Sequence, residues 1–294
     1  VNIMLKLVLP KGSLEKATFQ LFEDADLAVR RTSNVDYRAS VDDPRIADVR
    51  ILRPQEIPTY VEDGLFDLGI AGRDWIEETS SDVVSLGELK YSKVTAKPVK
   101  IVVAVPADSE YEVLSDLPQG VRVSSEYPEL TNRHFAASGV EADVQLSYGA
   151  TEAKAPEIVD AVVDLTETGN ALRAAGLKII DEILTSYTEI FANRESYEDP
   201  EKRKAMEQIK TLLDGELDAR GRVLMKFNVS APDLDQVIDV LPSMKAPTVN
   251  ELWGGGAFAV ETVVNKSDIN VLIPQLLELG ATDVIELPIS KIVP

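Results

Sequence analysis

The chain has 294 residues, 45% of them hydrophobic, and contains no cysteine, which excludes disulfides, a thiol nucleophile and thiolate metal sites. Its 50 acidic and 30 basic side chains give a formal net charge of −20, which disfavours nucleic acid as a partner because phosphate contacts need a basic surface. No apolar run approaches the roughly 20 residues of a membrane span, and no signal pattern opens the chain. We therefore expect a soluble cytoplasmic protein of two or three domains, without membrane contact.

The first third of the chain predicts three strand-and-helix units. The strands are 3–9, 49–52 and 66–71, and Ser13 is the expected N-cap of the first helix. This alternation is typical of a parallel sheet covered by helices, whose ligands gather beyond the carboxyl ends of the strands. The polar residues that follow these strands are Lys11, Arg53, Gly72, Arg73 and Asp74.

A second block of the same kind begins near Pro98. Strands are predicted at 100–106, 120–124 and 144–147, and a helix at 128–138 contains His134, the only histidine, which is expected on the helix surface. A further strand at 177–184 is expected to return to the first block, and 195–217 reads as one charged helix.

Residues 158–173 carry the most informative pattern. They predict a buried parallel strand at 158–165, a polar turn at 166–170, and a helix from Ala171 that ends at Gly176. Backbone N–H groups in such a turn suit a phosphate, and Asp164 at the strand end is placed for neighbouring hydroxyls, so a ribose 5-phosphate would satisfy both. An ordinary capped turn fits the pattern equally well, and neither a P-loop nor a dinucleotide fingerprint occurs.

Residues 220–294 predict a separate unit. Strands at 223–229, 257–264 and 283–289 alternate with two apolar helical stripes, and the order β-α-β-β-α-β is typical of a ferredoxin-like domain. The three glycines Gly254, Gly255 and Gly256 are expected to form a hairpin turn rather than a binding loop.

Taken together, these motifs resemble those of the ATP phosphoribosyltransferase family in its long form, which carries a C-terminal histidine-sensing domain. Each motif alone is weak, but their order and spacing cover nearly the whole chain. The matching stretches are 9–14, 53–58, 64–74, 126–133, 149–156, 160–172 and 241–249.

The resemblance implies an α/β fold with two parallel or mixed-sheet lobes like the type II solute-binding proteins, plus a C-terminal ferredoxin-like βαββαβ domain. The implied domains are a first catalytic lobe at 1–97 completed by 184–219, a second lobe at 98–183, and a regulatory domain at 220–294. The implied reaction joins N1 of ATP to C1′ of phosphoribosyl pyrophosphate (PRPP), releases pyrophosphate, requires Mg²⁺ and opens histidine biosynthesis. Histidine as an inhibitor and a homo-oligomer, dimeric or hexameric, are also implied.

Residue roles follow from the same resemblance, and they leave the metal ligands unassigned. Lys11, Arg53 and Glu152 are expected to be catalytic, and Gly72, Arg73 and Asp74 to bind ATP. The expected PRPP-binding residues are Asp160, Asp164, Thr166, Glu167, Thr168, Gly169, Asn170 and Ala171. The expected histidine-binding residues are Asn228, Ala246 and Thr248.

Two positions depart from the family's pattern. Ala171 stands where a hydroxyl is usual, and Glu167 adds a carboxylate where serine is common. Either PRPP binds more weakly here or Glu167 points away from it. Two other functions stay open at this point: a two-lobed binding module without chemistry, and a different phosphoribosyltransferase.

Overall fold

The computed structural model describes residues 4–91, 98–242 and 246–294. Two compact units make up the chain, Val1–Lys210 and Thr211–Pro294. Ile3 of the first predicted strand and residues 243–245 of the family-like stretch 241–249 lie outside the described residues. None of the helices in the described ranges combines the length and hydropathy that crossing a bilayer requires.

The first unit consists of two sheets flanked by helices. Its strands are β1 (Leu5–Pro10), β2 (Val29–Arg30), β3 (Arg38–Val41), β4 (Ile46–Leu52), β5 (Leu68–Gly72), β6 (Val84–Glu88), β7 (Val99–Pro106), β8 (Val121–Ser125), β9 (Ala142–Leu146), β10 (Ala161–Thr166), β11 (Leu177–Ser186) and β12 (Thr188–Ala192). Its helices are α1 (Glu15–Asp24), α2 (Ile57–Glu62), α3 (Arg73–Thr79), α4 (Pro128–Ala137), α5 (Asn170–Ala174), α6 (Arg194–Glu198) and α7 (Pro200–Ala219), within which the division between the units falls.

The first sheet has the strand order β2-β3-β4-β1-β5-β12-β6. Strand β1 is parallel to both β4 and β5, as the strand-and-helix alternation predicts, whereas β12 is antiparallel to β5 and β6. One face packs against α2 and α3 through Val8, Ile57, Val61, Ile76 and Phe191. The carboxyl ends of β1, β4 and β5 therefore share one edge.

The second sheet has the order β11-β7-β10-β8-β9. Strand β10 is parallel to β8 but antiparallel to β7, so the predicted parallel strand has a parallel partner on one side only. Both faces of the sheet are covered, since Val163 packs with Phe135 on one face and Val162 packs with Leu172 on the other. Burial on both faces explains the nearly continuous apolar run of β10.

Three local predictions for the first unit are wrong. Segment 177–184 does not return to the first sheet, because β11 pairs with β7 along its whole length and the chain crosses only after Ser186. Leu14 rather than Ser13 is the N-cap of α1, and its side chain makes no capping bond. The predicted helix 195–217 is two helices, because Asp199 is extended and accepts the N–H of Glu201 at 2.9 Å.

The second unit has the predicted ferredoxin-like order. Its strands β13 (Arg222–Ser230), β14 (Thr248–Glu251), β15 (Ala257–Asn265) and β16 (Thr282–Pro288) form one antiparallel sheet in the order β14-β15-β13-β16, and its helices are α8 (Leu234–Asp239) and α9 (Ile269–Glu278). The alternate side chains Met225, Phe227 and Val260 pack with Leu272 and Leu276 in its core. The glycine triplet lies between the paired strands β14 and β15, as the sequence predicts.

Candidate active site

A cavity of about 450 Å³ lies in the first unit and is lined by residues from both of its sheets. Its walls come from segments that follow strands: 72–75 after β5, 126–127 after β8, 164–167 at the end of β10, and 186–188 where the chain crosses between the sheets. No lysine or arginine of the described residues lines it. The lining side chains with aromatic rings are Trp75, Tyr91, Tyr127 and Tyr187, and the acidic ones are Asp74, Glu88, Glu126, Asp164 and Glu167.

Asp74 is the most deeply buried acid of this cavity, with 4% of its surface exposed. Tyr127 Oη donates to its Oδ2 at 2.7 Å, and Ser186 Oγ donates to its Oδ1 at 2.7 Å. Burial raises the pKa of Asp74, and these hydrogen bonds oppose that shift. Asp74 follows a strand of the first sheet and Tyr127 follows a strand of the second. The hydrogen bond between these two side chains therefore connects the two walls of the cavity.

Helix α3 also caps helix α4 of the other sheet. The carboxylate of Glu78 accepts the N–H of Glu129 at 3.1 Å and that of Leu130 at 2.8 Å. Arg133 on α4 in turn donates to the carbonyl of Glu77. A carboxylate on the first-turn N–H groups of a helix satisfies donors that otherwise lack partners.

Asp164 has an unusual titration. Burial raises its pKa to about 6, the negative charges of Glu152 and Glu126 add to the shift, and a hydrogen bond from its neighbour's backbone opposes it. That bond runs from the N–H of Leu165 to Oδ1 at 2.7 Å. The carboxyl group is therefore half-buried and surrounded by like charges, which is typical of functional carboxyls.

The 166–170 turn has the predicted strand-turn-helix geometry. Gly169 has φ = +75°, a conformation that favours glycine, and its N–H donates to Thr166 Oγ1 at 2.7 Å. The N–H of Asn170 lies 3.4 Å from Thr168 Oγ1, and Arg173 donates to the carbonyl of Thr168 at 3.0 Å. The two threonine hydroxyls therefore accept hydrogen bonds from backbone N–H groups that the sequence analysis expected to be available to a phosphate.

Asp160, which is expected to bind PRPP, does not line this cavity. It precedes β10 and lies at the opposite end of that strand from Asp164. Arg122 holds it through Nη2–Oδ1 and Nε–Oδ2 bonds of 2.7 and 3.1 Å, which keep the pKa of Asp160 below its usual range. A strand rises by about 3.3 Å per residue, so roughly 13 Å separate the two acids.

The three residues that were expected to be catalytic, Lys11, Arg53 and Glu152, do not line the cavity. Lys11 and Arg53 follow the adjacent strands β1 and β4; Lys11 Nζ lies 4.1 Å from the ring centroid of Tyr37, and Arg53 is exposed. Arg73 pairs with Glu77 at 2.5 Å and with Glu189 at 3.4 Å. Gly72 and Asp74 line the cavity, whereas Glu152 does not and acts on it through its charge.

The sequence analysis did not single out several of the residues that line the cavity. Trp75 and Tyr127 stack with ring centroids 4.6 Å apart, although they are 52 positions apart in the chain. Both residues follow the end of a strand, and an aromatic residue at such a position is the sequence feature that could have identified them. His134, expected on the helix surface, is half-buried, and its Nε2 lies 2.7 Å from Asp181 Oδ2, away from the cavity.

In the second unit, the expected histidine-binding residues are not adjacent. Asn228 lies on β13 and donates to Asp283 Oδ2 at 3.1 Å, whereas Thr248 opens β14. Strand β15 separates them, a distance of about 10 Å across the sheet. Ala246 and Thr248 are exposed.

Sequence comparisons match the chain over nearly its full length. The family model described as ATP phosphoribosyltransferase matches residues 53–215, and the one described as HisG, C-terminal domain, matches residues 219–291. The ATP phosphoribosyltransferase of Desulforudis audaxviator is 46% identical over 292 residues, covering 99% of each chain. That of Pelotomaculum thermopropionicum is 45% identical with the same coverage.

A solved structure shares the fold of part of the chain. The ATP phosphoribosyl transferase (HisG:HisZ) complex from Thermotoga maritima contains a chain that is 24% identical, with a TM-score of 0.61. The match covers 72% of this chain and 99% of that one.

Proposed function

The chain belongs to the ATP phosphoribosyltransferase family, and we propose that the cavity between the two sheets of its first unit holds both substrates. The enzyme is a pentosyltransferase that condenses ATP with PRPP in the first step of histidine biosynthesis. One observation carries the location: Asp164 and Glu167 of the family's PRPP motif line the same cavity as Gly72, Asp74 and four aromatic rings. The fold class expected from the sequence is confirmed.

PRPP would occupy the side formed by the end of β10. The carboxylate of Asp164 is the proposed acceptor for the ribose hydroxyls, and the 166–170 turn the proposed holder of the 5-phosphate. Because the Thr166 and Thr168 hydroxyl oxygens accept from the turn's own N–H groups, rotation of either side chain about χ1 would free an N–H for the phosphate. Glu167 lines the cavity, which supports weaker PRPP binding over the alternative that this carboxylate points away.

ATP would occupy the opposite side. Aromatic faces such as Trp75 and Tyr127 suit an adenine ring. Gly72 leaves room for the carboxylate of Asp74, since a Cβ at this position would lie 2.0 Å from Asp74 Oδ1. Lys11 and Arg53 are the proposed partners of the phosphate charges, since they extend from strand ends at the same edge. Arg73 already has two carboxylate partners, so a contact with ATP would require it to release one of them.

The chemistry requires placement more than acid–base catalysis. Departure of pyrophosphate leaves positive charge at C1′, which the acids of the cavity stabilise, while Lys11 and Arg53 stabilise the leaving group. Within the described ranges no three acidic or histidine side chains are grouped closely enough to hold a metal alone. Glu126, Glu152 and Asp164 would hold Mg²⁺ only together with oxygen atoms of the substrate, and carboxylate and phosphate oxygens are the ligands that this ion prefers. When bound, Mg²⁺ would neutralise charge on the pyrophosphate.

The test is pyrophosphate release with ATP and PRPP together and with each alone. Release only with both substrates is expected, and a binding module would bind one of them without release. Lys11→Gln and Arg53→Gln should each lower kcat/KM at least about tenfold, the loss expected of one charge-assisted bond. Lys16→Gln, which removes an exposed cation on α1, is the matched control and should leave kcat/KM unchanged.

We propose histidine sensing for the second unit, through Asn228, Ala246 and Thr248. The support is the domain's family match and its ferredoxin-like fold. Because β15 separates Asn228 from Thr248, one pocket that uses both would need a second copy of the chain, in keeping with a homo-oligomer. Activity should fall non-competitively with ATP as histidine rises, and Thr248→Ala should weaken that response. Full activity in millimolar histidine would leave assembly as the domain's only role.

A further inference from the structure

The ammonium group of Lys11 lies against the aromatic ring of Tyr37. Lys11 Nζ is 4.1 Å from the centroid of that ring, which is the geometry of a cation–π contact. Tyr37 is 54% exposed, so its ring lies at the surface and does not belong to a hydrophobic core. The proposed function uses Lys11 as a partner of phosphate charges but gives no role to this ring.

Backbone pairing places the two side chains on either side of β4, at its carboxyl end. The N–H of Lys11 donates to the carbonyl of Leu52 at 2.7 Å, and the N–H of Ile51 donates to the carbonyl of Tyr37 at 2.9 Å. Neighbouring strands are about 5 Å apart, so roughly 10 Å separate the two backbones across β4. Both side chains therefore lean toward each other over the strand end from which Arg53 also extends.

This contact leaves the positive charge of Lys11 unneutralised. No carboxylate in the described part of the chain forms an ion pair with it, although the chain has 50 acidic side chains. Arg73, which follows β5 at the same edge, is instead paired with Glu77 and Glu189. A ring face attracts an ammonium group through its quadrupole and adds no negative charge, so the cation is held and still attracts phosphate oxygens.

Holding a lysine side chain in place before the substrates bind has a kinetic consequence. A lysine ammonium is a point charge on a flexible stem of four carbons, and ordering that stem costs conformational entropy. A contact that confines the stem in the free protein removes part of this cost from the binding and chemical steps. The ring of Tyr37 should therefore increase the contribution of Lys11 to the rate without touching a substrate.

We propose that Tyr37 is a positioning residue for the phosphoribosyl transfer. Its ring holds the Lys11 ammonium at the carboxyl edge of the first sheet without neutralising it, where that charge meets the phosphates of the substrates. This rests on the proposed function, because it assumes that Lys11 is a partner of those phosphates. Tyr37 itself contacts no reacting atom, and its whole effect passes through Lys11.

The test changes the electron density of the ring at nearly constant size and measures kcat/KM for pyrophosphate release. Tyr37→Phe keeps a ring face and should retain the wild-type kcat/KM. Replacing Tyr37 by phenylalanines with increasing numbers of ring fluorine atoms should lower kcat/KM step by step, because fluorine withdraws electron density from the face that meets the cation. Tyr37→Leu removes the ring and should lower kcat/KM about two- to fivefold, the factor expected of an exposed cation–π contact.

A second pair of the same kind supplies the matched control. The guanidinium carbon of Arg203 lies 5.7 Å from the ring centroid of Tyr197, and neither residue lines the cavity. Tyr197→Leu removes a tyrosine ring from beside a cation, as Tyr37→Leu does, and should leave kcat/KM unchanged.

A double-mutant cycle shows whether the effect of Tyr37 passes through Lys11. In the Lys11→Gln background, Tyr37→Leu should lower kcat/KM no further. An equal fractional loss from Tyr37→Leu in both backgrounds, or a constant kcat/KM along the fluorinated series, would overturn the proposal, and that series alone decides if Tyr37→Leu does not fold. A wild-type kcat/KM in Lys11→Gln would overturn the role of Lys11 and that of Tyr37 with it, whereas a wild type that releases no pyrophosphate from ATP and PRPP would overturn the proposed function itself.

Discussion

The two ends of β10 carry the same residue in opposite chemical states. At the start of the strand, Asp160 has Arg122 as a bidentate partner and a lowered pKa. At its end, Asp164 has acids for neighbours and a pKa raised to about 6. A carboxylate whose charge is already satisfied stabilises the sheet, whereas one held among like charges at the carboxyl edge is available for a ligand.

The partners explain the difference between these ends. Arg122 lies on β8, beside β10, and reaches Asp160 across the ladder. Asp164 meets Glu126 and Glu152, which follow β8 and β9 at the other edge. Variants at each end should therefore change different quantities, PRPP kinetics at one and stability at the other.

The largest effect is expected at the turn beyond Asp164. Gly169→Val places a β-branched residue at φ = +75°, and its Cβ would lie 2.9 Å from Arg173 Nη1. PRPP affinity should fall by about a hundredfold or more on the scale of two lost charge-assisted bonds, while the fold persists. Gly139→Val, at φ = +74° with open space around its Cβ, is the matched control and should lower the Tm without affecting PRPP. Normal PRPP affinity in folded Gly169→Val would contradict the assignment of the turn.

Asp164→Asn should have the next largest effect. Loss of a charged acceptor for ribose hydroxyls is worth on the order of 1.5–3 kcal/mol per bond, so kcat/KM for PRPP should fall at least about tenfold. The KM for ATP should change little. If ATP kinetics changed and PRPP kinetics did not, the strand end would belong to the other substrate.

The titration of Asp164 gives a pH-dependent prediction. The carboxylate should be the binding form, so kcat/KM for PRPP in the wild type should fall as the pH drops through about 6, and Asp164→Asn should lack that step. The pH dependence of stability has the opposite sign. Because the pKa of Asp164 is higher in the folded protein than in the unfolded chain, its favourable contribution to the free energy of unfolding is present at low pH and is lost as the pH rises through about 6. Asp164→Asn should accordingly raise the Tm more at pH 8 than at pH 4. An identical change in Tm at both pH values would contradict the buried, unpaired state of this carboxyl.

The smallest effect is expected at the other end of the strand. Asp160→Asn should leave PRPP kinetics within about twofold and lower stability by about 0.2–1 kcal/mol, as for a solvent-exposed ion pair. The pKa of Asp160 is lowered, so this contribution should be present at neutral pH and lost as the pH falls below the usual range of aspartate. A double-mutant cycle with Arg122→Gln measures the coupling. A tenfold loss of kcat/KM in Asp160→Asn would restore this residue to the site.

Local sequence patterns predicted the positions of strands and helices better than they predicted which strands pair and which side chains are in contact. The apolar runs of β7 and β10 and the helical stripes of α9 are short-range signals, and the βαββαβ order of the second unit is confirmed. Neither the Arg122–Asp160 pair nor the Trp75–Tyr127 stack is visible in such signals, because each joins segments far apart in the chain. For the same reason, the sequence analysis did not predict the pairing of β11 with β7. The lobe bounds at 97/98 and 183/184 stay a prediction.

The capping of α4 by Glu78 has a consequence for how substrates enter. The two sheets cannot move apart at this point without exposing the backbone amides of Glu129 and Leu130 to water. Loss of such a cap costs about 0.5–2 kcal/mol, so opening is a discrete and measurable event. Hydrogen–deuterium exchange at these two amides should therefore report how often the cavity opens. Glu78→Gln should make both amides exchange faster.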